Sequence, residues 1–486
     1  MIPAQSEQAG TGAGLRFVRA PTGTLDRAGW CQSRVLCLPC LMLLMMLASS
    51  CAGIYKPGNL AIDAIDNGHG YRFTPDHPVD RGDHVVFLSF SGGGTRAAAL
   101  SYGVLQELRD VQVQSRGQRV RLLDEVDGIS SVSGGSFTAA YYALFGERTF
   151  ADYEDVFLRQ SIQGTLIRKL FNPLYWWRTL FTGFDRTEMA VEYYDRHIFE
   201  GKTFNEIPLG QRPFVEINAT DLGGGQRFAF TQGNFDLICS DLGSYSVARA
   251  VTASSAVPVA FPPVVLTNHA GNCDTTQSNR IRNIERRGTL TKRQTELQRR
   301  VNAYADRAAR PYIHLVDGGI ADNLGLRALI DRIDAAGPDL FLKNLRRVPR
   351  DVLIIMVNAE VKPERSIELS AAKPSVLDTV DAFSNAQIAL YNQETELLIG
   401  QKMQEMEAAL GSRGHEVKFY LVEVSFESLE EKGLKSFFNN LPTSLELSDR
   451  DVDVLIETGR DLLRKSPEFR AFLSVNVPPK QHPEIR

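Results

Sequence analysis

Two stretches of the chain join an apolar run to a glycine-rich turn and then to a helical pattern. In the first stretch, the glycines Gly92, Gly93 and Gly94 stand between the apolar run 85–90 and a helical pattern over 97–108. In the second, Ser133 follows the run 125–131 and precedes a pair of glycines. Unbroken apolar runs of this length are typical of strands buried on both faces of a parallel sheet. Two such units in succession predict an α/β fold with a central, mostly parallel sheet.

The rest of the chain continues the same pattern. Further strands are expected over 214–219, 228–231, 313–316, 352–357 and 419–424. Glycines Gly223 to Gly225 lie between the first two of these runs and predict a hairpin turn. Ser448 with Asp451 is the pattern of a helix N-cap, and apolar spacing extends that helix through Leu462. The C-terminal third is therefore expected to complete the same domain.

The two turns supply complementary chemistry. Adjacent glycines leave backbone N–H groups uncovered, and the helix that follows directs the positive end of its dipole at the same place. Such a turn suits an oxyanion, and Arg96 either clamps it or meets an anionic head group. The second turn places Ser133 among small residues, as a nucleophile elbow requires, although Ser131 stands where that motif usually has glycine.

With the motif Asp317-Gly318-Gly319, these turns resemble the patatin-like phospholipase family, which uses a serine and an aspartate without a catalytic histidine. The resemblance covers residues 85–326 and implies a three-layer α/β/α fold with helical insertions. Carried over by position, it makes Ser133 the nucleophile, Asp317 the base, and the amides of Gly92, Gly93 and Gly94 the oxyanion hole. The residues expected to support the site are Arg96, Gly135, Gly318 and Gly319.

The resemblance implies hydrolysis of lipid carboxylic esters and leaves phospholipid, lysophospholipid and neutral lipid open as substrates. No cofactor and no metal ion are expected. A non-catalytic, lipid-anchored binding or scaffolding protein of the cell envelope that retains the fold is the alternative. Asp322 is the rival base, and His314, within a predicted strand, is expected to be a packed core residue.

A dinucleotide site competes for the first glycine turn, because Gly92-x-Gly94-x-x-Ala97 after a strand fits that fingerprint. It would need an acidic residue at the end of the next strand, where the serine elbow stands instead. A P-loop is excluded because no Lys-Ser or Lys-Thr pair follows the glycines. A formal net charge of −4 gives no reason to expect a nucleic-acid partner, and the oligomeric state stays open.

The N-terminus has the pattern of an export signal. An apolar run over 35–48 follows Arg34, and small residues lead into Cys51 as in a bacterial lipobox. We expect a signal peptide over 1–51 with Cys51 lipidated, a tether over 52–83, the hydrolase domain over 84–475 and a tail over 476–486. The protein would then be a membrane-anchored lipoprotein of the bacterial envelope; an ordinary signal peptide or an uncleaved leader are the alternatives.

Three further features have two interpretations each. Cys239 and Cys273 form a disulfide, closing a loop of about 35 residues, or remain separate buried thiols. The aromatic insertion 150–199, with Trp176 and Trp177, either faces a lipid surface or fills a helical core. The insertion 280–310 is rich in lysine and arginine, which predicts a basic helix that is either merely solvated or attracted to anionic lipid.

Overall fold

The structure, a computed structural model of the 486-residue chain, describes residues 57–72, 82–278, 290–334, 348–362 and 371–477. The predicted leader and Cys51, the predicted lipidation site, lie outside these residues. In chain order the strands are β1 (Leu60–Ala61), β2 (His84–Phe90), β3 (Gln112–Ser115), β4 (Gln118–Arg121), β5 (Val126–Val132), β6 (Phe214–Asp221), β7 (Gln226–Ala229), β8 (Ser240–Asp241), β9 (Val264–Thr267), β10 (Tyr312–Val316), β11 (Asp351–Asn358) and β12 (Lys418–Ser425).

Helices connect and cover these strands. In chain order they are α1 (Gly94–Asp110), α2 (Gly134–Phe145), α3 (Thr149–Tyr153), α4 (Ile162–Leu170), α5 (Pro173–Thr182), α6 (Arg186–His197), α7 (Gln232–Phe235), α8 (Val247–Ser254), α9 (Lys292–Asn302), α10 (Gly319–Asp322), α11 (Val376–Gly411), α12 (Lys432–Asn439), α13 (Asp449–Lys465) and α14 (Pro467–Asn476). Residues 327–334 are also helical. Within the described ranges, no helix has both the length and the apolar character that a bilayer span requires.

The central sheet has eight strands in the order β12-β11-β2-β5-β6-β10-β9, and β7 pairs with β6. Neighbours from β12 through β6 run parallel, whereas β7, β9 and β10 are antiparallel additions. Because parallel strands end at a common edge, the turns after β2 and β5 lie side by side. Those turns contain the glycine triplet and Ser133.

Strand β2 shows how the sheet separates two cores. Val86, Leu88 and Phe90 belong to one buried cluster, which includes residues of α1 and α13. Val85 belongs to a second cluster with Ile399 of α11. Successive side chains of a strand point to opposite faces, so helices cover both sides of the sheet. The predicted three-layer α/β/α fold is confirmed.

The C-terminal third packs directly on α1, the helix that follows β2. A Cβ atom added to Gly103 of α1 would lie 2.1 Å from the Ile456 oxygen, and one on Gly459 of α13 would lie 2.4 Å from the Leu100 oxygen. The two helices therefore touch through their backbones. Ser448 caps α13 as expected, since its Oγ accepts the Asp451 N–H at 3.2 Å.

The aromatic insertion divides into a buried part and an exposed part. Tyr153 and Phe157 are fully buried and stack with each other. Phe171, Trp176 and Trp177, at the junction of α4 and α5 and in α5, are instead 76%, 60% and 66% exposed. Of the two interpretations, core filling applies to the first group and a surface location to the tryptophans.

The described part of the basic insertion contains the helix α9, and the arginines of this helix are paired with carboxylates. Arg293 of α9 lies 2.5 Å from the Asp334 carboxylate, and Arg299 and Arg300 both pair with Glu296. Residues 280–289 of this insertion lie outside the described part of the chain. Acidic neighbours therefore offset much of the positive charge that the sequence concentrates in α9.

The two cysteines of the main body are joined by a disulfide. Cys239 and Cys273 have their Cα atoms 5.5 Å apart and their sulfur atoms bonded. The bond connects the residue before β8 to the loop after β9. In the chain-entropy account, closing such a loop stabilises the folded state by about 3 to 4 kcal/mol.

Candidate active site

The chain turns sharply at Ser133, between β5 and α2. Its backbone has φ 49° and ψ −120°, a conformation that non-glycine residues rarely adopt and that persists only when neighbours enforce it. A Cβ on Gly134 would lie 2.0 Å from the Gly94 oxygen, and one on Gly135 would lie 2.7 Å from the Phe90 Cβ. Glycine is therefore needed at both positions for α2 to start this close to the first turn.

Ser133 and Asp317 are in direct contact. Ser133 Oγ donates a hydrogen bond to Asp317 Oδ2 at 2.9 Å. The other carboxylate oxygen, Oδ1, accepts the Gly319 N–H at 2.7 Å, which orients the carboxyl group. Thr220 Oγ1 donates to the Asp317 carbonyl at 2.8 Å and fixes the backbone where β10 ends. The geometry suits proton transfer from the hydroxyl to the carboxylate.

The environment of Asp317 adjusts its acidity. Burial raises the pKa of Asp317 to about 6, against the opposing effect of hydrogen bonds from Gly319 and Ser133. Below that pH the carboxyl group is protonated and does not accept a proton. At neutral pH the carboxyl group is ionised, and it accepts a proton more readily than an exposed aspartate does.

Asp322, the alternative candidate for the base, and His314 have different surroundings from Asp317. Asp322 is also buried, and burial raises its pKa to about 6, but its Oδ2 accepts the Arg327 N–H at 2.9 Å. His314 is exposed on β10, so the expectation of a packed core histidine is wrong. Its side chain falls on the outer face of the antiparallel edge of the sheet, between the buried residues Ile313 and Leu315. Within the described ranges, no histidine hydrogen-bonds to the dyad and no group of three or more metal-ligating side chains occurs.

The glycine triplet supplies fewer amides than expected. Gly92 donates its N–H to the Asn323 carbonyl at 3.1 Å, so this amide is occupied by the protein. Gly93 and Gly94 have φ 141° and 60°, and Gly94 begins α1. In the part of the chain that the structure describes, the amides of Gly93 and Gly94 have no protein acceptor. Two of the three predicted donors are thus available to an oxyanion.

Gly134 is a candidate donor that the sequence interpretation missed. It opens α2, so its N–H has no preceding helical carbonyl to bind. A Cβ on Gly134 would lie 2.7 Å from the Gly94 nitrogen, which places the two turns against each other. The position of Gly134 directly after Ser133 could have indicated this role, because the residue after a nucleophile often contributes its amide to an oxyanion hole.

Arg96 clamps the first turn from within the protein. Its side chain is 3% exposed; Nε donates to the Ala359 carbonyl at 3.0 Å and Nη1 to the Leu441 carbonyl at 2.8 Å. Nη2 donates to Thr443 Oγ1 at 3.1 Å. Burial lowers the pKa of Arg96 to about 10, and the group stays charged at neutral pH. Of the two roles expected for Arg96, this geometry supports the clamp rather than a contact with a head group.

Residues far along the chain complete this support, and no sequence signal marked them. The Thr95 N–H donates to the Ser444 carbonyl at 2.9 Å. The same carbonyl would lie 2.2 Å from a Cβ on Gly94. The segment 441–444 therefore closes over the glycine turn from outside the region of family resemblance.

A comparison with known protein families agrees with this architecture. A family model described as patatin-like phospholipase matches residues 88–330, half of the chain. Human GIVD cytosolic phospholipase A2 is a similar solved structure, with 13% identity and a TM-score of 0.32 over 60% of this chain. The match covers 50% of that protein, so the chain spans about half its length. No curated protein matches the sequence significantly. The family match, together with the fold, shows that the chain belongs to the patatin-like phospholipase family.

Proposed function

We propose that the chain hydrolyses carboxylic esters of lipids, with Ser133 as nucleophile and Asp317 as general base. Membership of the family supports lipid acyl hydrolysis in general. The finer assignment rests on one observation, the 2.9 Å hydrogen bond between Ser133 Oγ and Asp317 Oδ2 at a strained turn. A scaffolding protein has no need to maintain that strain.

In the acylation half, Asp317 accepts the hydroxyl proton as Ser133 Oγ bonds to the ester carbonyl carbon. The carbonyl oxygen becomes an oxyanion facing the amides of Gly93, Gly94 and Gly134. Fixed donors of this kind stabilise the transition state because they need no reorientation during the reaction. Asp317 then returns its proton to the departing alcohol, and the acyl group stays on Ser133.

In the deacylation half, water takes the place of the alcohol. Asp317 removes one proton from the water, whose oxygen attacks the acyl carbon and forms a second oxyanion at the same amides. Collapse of this intermediate releases the carboxylic acid, and Asp317 returns the proton to Ser133 Oγ. A single carboxylate thus serves as base and acid in both halves, which suits a pKa of about 6.

The test uses purified protein with a soluble short-chain ester and with phospholipid, lysophospholipid and neutral lipid. Ser133→Ala should abolish turnover, and Asp317→Asn should lower kcat by about 100-fold to 10,000-fold. Asp322→Asn is the matched control, because that aspartate is also buried but binds the Arg327 N–H instead of the serine. It should retain turnover once corrected for folded protein.

Two results would contradict the proposal. Turnover in Ser133→Ala at the wild-type rate would move the nucleophile elsewhere. Folded wild-type protein without activity on any of these esters would favour the scaffolding alternative. Melting temperatures of all variants separate these results from simple unfolding.

We further propose that the exposed aromatic residues dock the enzyme on a lipid surface. Trp176 and Trp177 present large exposed rings, with the Trp176 Nε1–H held by the Leu170 carbonyl at 2.6 Å, and the cation of Lys169, which lies over the ring of Tyr175, suits anionic lipid. Replacing both tryptophans by alanine should reduce hydrolysis of anionic vesicles much more than hydrolysis of a soluble ester. Tyr312→Ala, at an exposed site at the start of β10, is the control. Equal losses on both substrates would assign the tryptophans to the substrate pocket.

The location in the bacterial envelope remains a proposal from sequence. If Cys51 carries the lipid, labelled palmitate should enter the wild-type protein but not Cys51→Ser. A wild-type protein that takes up no label would refute the lipobox interpretation. The Cys239–Cys273 disulfide supports an oxidising compartment.

A further inference from the structure

Three serines lie beneath the nucleophile and take no direct part in the proposed chemistry. Ser131, Ser136 and Ser254 are each 0% exposed, and we call them the serine network. Ser131 is the last residue but one of β5, Ser136 lies in the first turn of α2, and Ser254 is the last residue of α8. Buried hydroxyl groups are costly unless they are hydrogen-bonded, so their partners indicate what they do.

Ser254 holds the backbone of the nucleophile. Its Oγ accepts the Ser133 N–H at 2.8 Å and donates to the Asn218 carbonyl at 2.6 Å. Since its own proton goes to Asn218, the Ser254 hydroxyl faces Ser133 as an acceptor. The Ser133 N–H is thereby kept away from the oxyanion, which leaves that task to the glycine amides.

The same short segment also holds the base. The Ser254 carbonyl accepts the Gly318 N–H at 3.0 Å, and the Ala256 carbonyl accepts the Asp317 N–H at 2.9 Å. Ser254 and the Ala256 carbonyl therefore fix the backbones of both members of the dyad. A shift of Ser254 would change the distance between Ser133 and Asp317 even though its side chain contacts neither reacting atom.

The other two serines secure Ser254 and the strand before the elbow. Ser131 Oγ donates to the Glu216 carbonyl at 2.9 Å. Ser136 Oγ lies 3.1 Å from Ser131 Oγ and 3.0 Å from Ser254 Oγ. Ser131 and Ser254 both give their protons to carbonyls of β6, and Ser136 donates its single proton to Ser131 Oγ while its oxygen contacts Ser254 Oγ. The serine at position 131, where the elbow motif usually has glycine, anchors one end of this network.

We propose that Ser254, secured by Ser131 and Ser136, is a positioning residue that keeps the strained Ser133 backbone in register with Asp317. This inference rests on the proposed function of the dyad. It assigns a role to the departure at position 131, which the family resemblance leaves unexplained. A backbone at φ 49° relaxes unless it is held from several sides, and the Ser254 hydroxyl supplies one of those contacts.

The test compares Ser254→Ala with Ser255→Ala. Ser255 is the next residue and is also buried, but its Oγ donates to the Val251 carbonyl within the same turn of chain. Four quantities are measured: kcat and KM on a soluble short-chain ester, the rate at which a fluorophosphonate labels Ser133, and the melting temperature. Ser254→Ala should lower kcat and the labelling rate by about 10-fold to 100-fold with KM within about twofold. Ser255→Ala should leave all three kinetic values within about twofold of wild type.

Ser131→Gly adds a second arm, because it restores the usual motif while removing the anchor. We expect kcat to fall several-fold. If the elbow motif alone determined activity, glycine at position 131 would leave kcat unchanged or raise it. Unchanged kcat and labelling in Ser254→Ala would overturn the proposal. So would a loss that disappears after correction for the folded fraction, because the role would then be only structural.

Failure of the proposed function has a different signature. A wild-type enzyme that is labelled at Ser133 but cleaves no lipid would refute the lipid substrate, and the labelling rates would still test Ser254. A wild-type enzyme that is never labelled would refute both proposals, since no reactive serine would exist to be positioned.

Discussion

The chain contains two runs of three consecutive glycines whose last residues have nearly the same φ and differ in their surroundings. Gly94 ends the first run with φ 60°, and Gly225 ends the second with φ 58°. A Cβ on Gly94 would meet the Ser444 oxygen at 2.2 Å, whereas a Cβ on Gly225 would meet nothing within 4 Å. The same residue type with nearly the same φ is therefore required by crowding at one site and by the turn alone at the other.

The conformation of the second run, Gly223 to Gly225, depends on contacts within its own hairpin. It connects β6 to β7, whose register pairs Asp221 with Gln226, and Asp221 Oδ1 accepts the Gly224 N–H at 3.2 Å. The first run depends on residues far away in the chain. Arg96 beside it is tied to Ala359, 263 positions away, and to Thr443, 347 positions away. A glycine run thus becomes a candidate oxyanion site when remote segments close in on it and leave its amides uncovered.

Gly94→Ala should break the first turn and have the largest effect. The added methyl group would collide with a backbone oxygen and would also occupy a positive φ, so the turn must move away from Ser133. Losing a well-placed oxyanion donor typically lowers kcat by about 100-fold to 1,000-fold, and we expect a loss of this size. Turnover of a soluble ester, with the melting temperature beside it, measures the effect.

A Gly94→Ala protein that is folded and fully active would show that the first triplet is an ordinary turn. The comparison between the two runs would then lose its functional meaning. If the variant is folded, inactive and still labelled by a fluorophosphonate, the defect lies in oxyanion stabilisation rather than in the nucleophile.

The pH dependence should sharpen the comparison, because the first triplet borders a buried carboxyl group that titrates. Asp317 must be ionised to accept the serine proton, and burial raises its pKa to about 6. Activity should therefore rise with pH through about 6, with roughly a tenfold gain in kcat between pH 5 and pH 7. Stability changes in the opposite direction: the folded state binds this proton more tightly than the unfolded state, so Asp317 destabilises the fold as pH rises from about 4 to about 6. An activity profile that stays flat across this range would argue against Asp317 as the base.

Local patterns predicted the elements that local interactions determine. The expected strands agree with β2, β5, β6, β10, β11 and β12 to within one or two residues, and Ser448 caps its helix as predicted. The order of glycine turn, serine and aspartate identified the residues that the sheet brings into contact. These features depend on apolar periodicity, caps and turns that lie within a few residues of each other.

The errors concern contacts between distant segments. Gly92 looked equivalent to its neighbours, but the Asn323 carbonyl takes its amide. His314 was expected in the core, yet it alternates outward on the antiparallel side of the sheet. The aromatic insertion gave equal support to core and surface, because ring content does not tell which face a helix presents. Only the packed fold decides such questions.

Gly225→Ala should have the smallest effect. Alanine at φ 58° is strained, so we expect a destabilisation of about 1 kcal/mol, visible as a small decrease in melting temperature. The open space around Gly225 admits the methyl group, and the hairpin carries no residue of the dyad. We therefore expect kcat to stay within about twofold of wild type, with the same pH inflection. A large loss of kcat in this variant, comparable to that of Gly94→Ala, would mean that strain at a positive φ, rather than crowding beside the dyad, accounts for both effects.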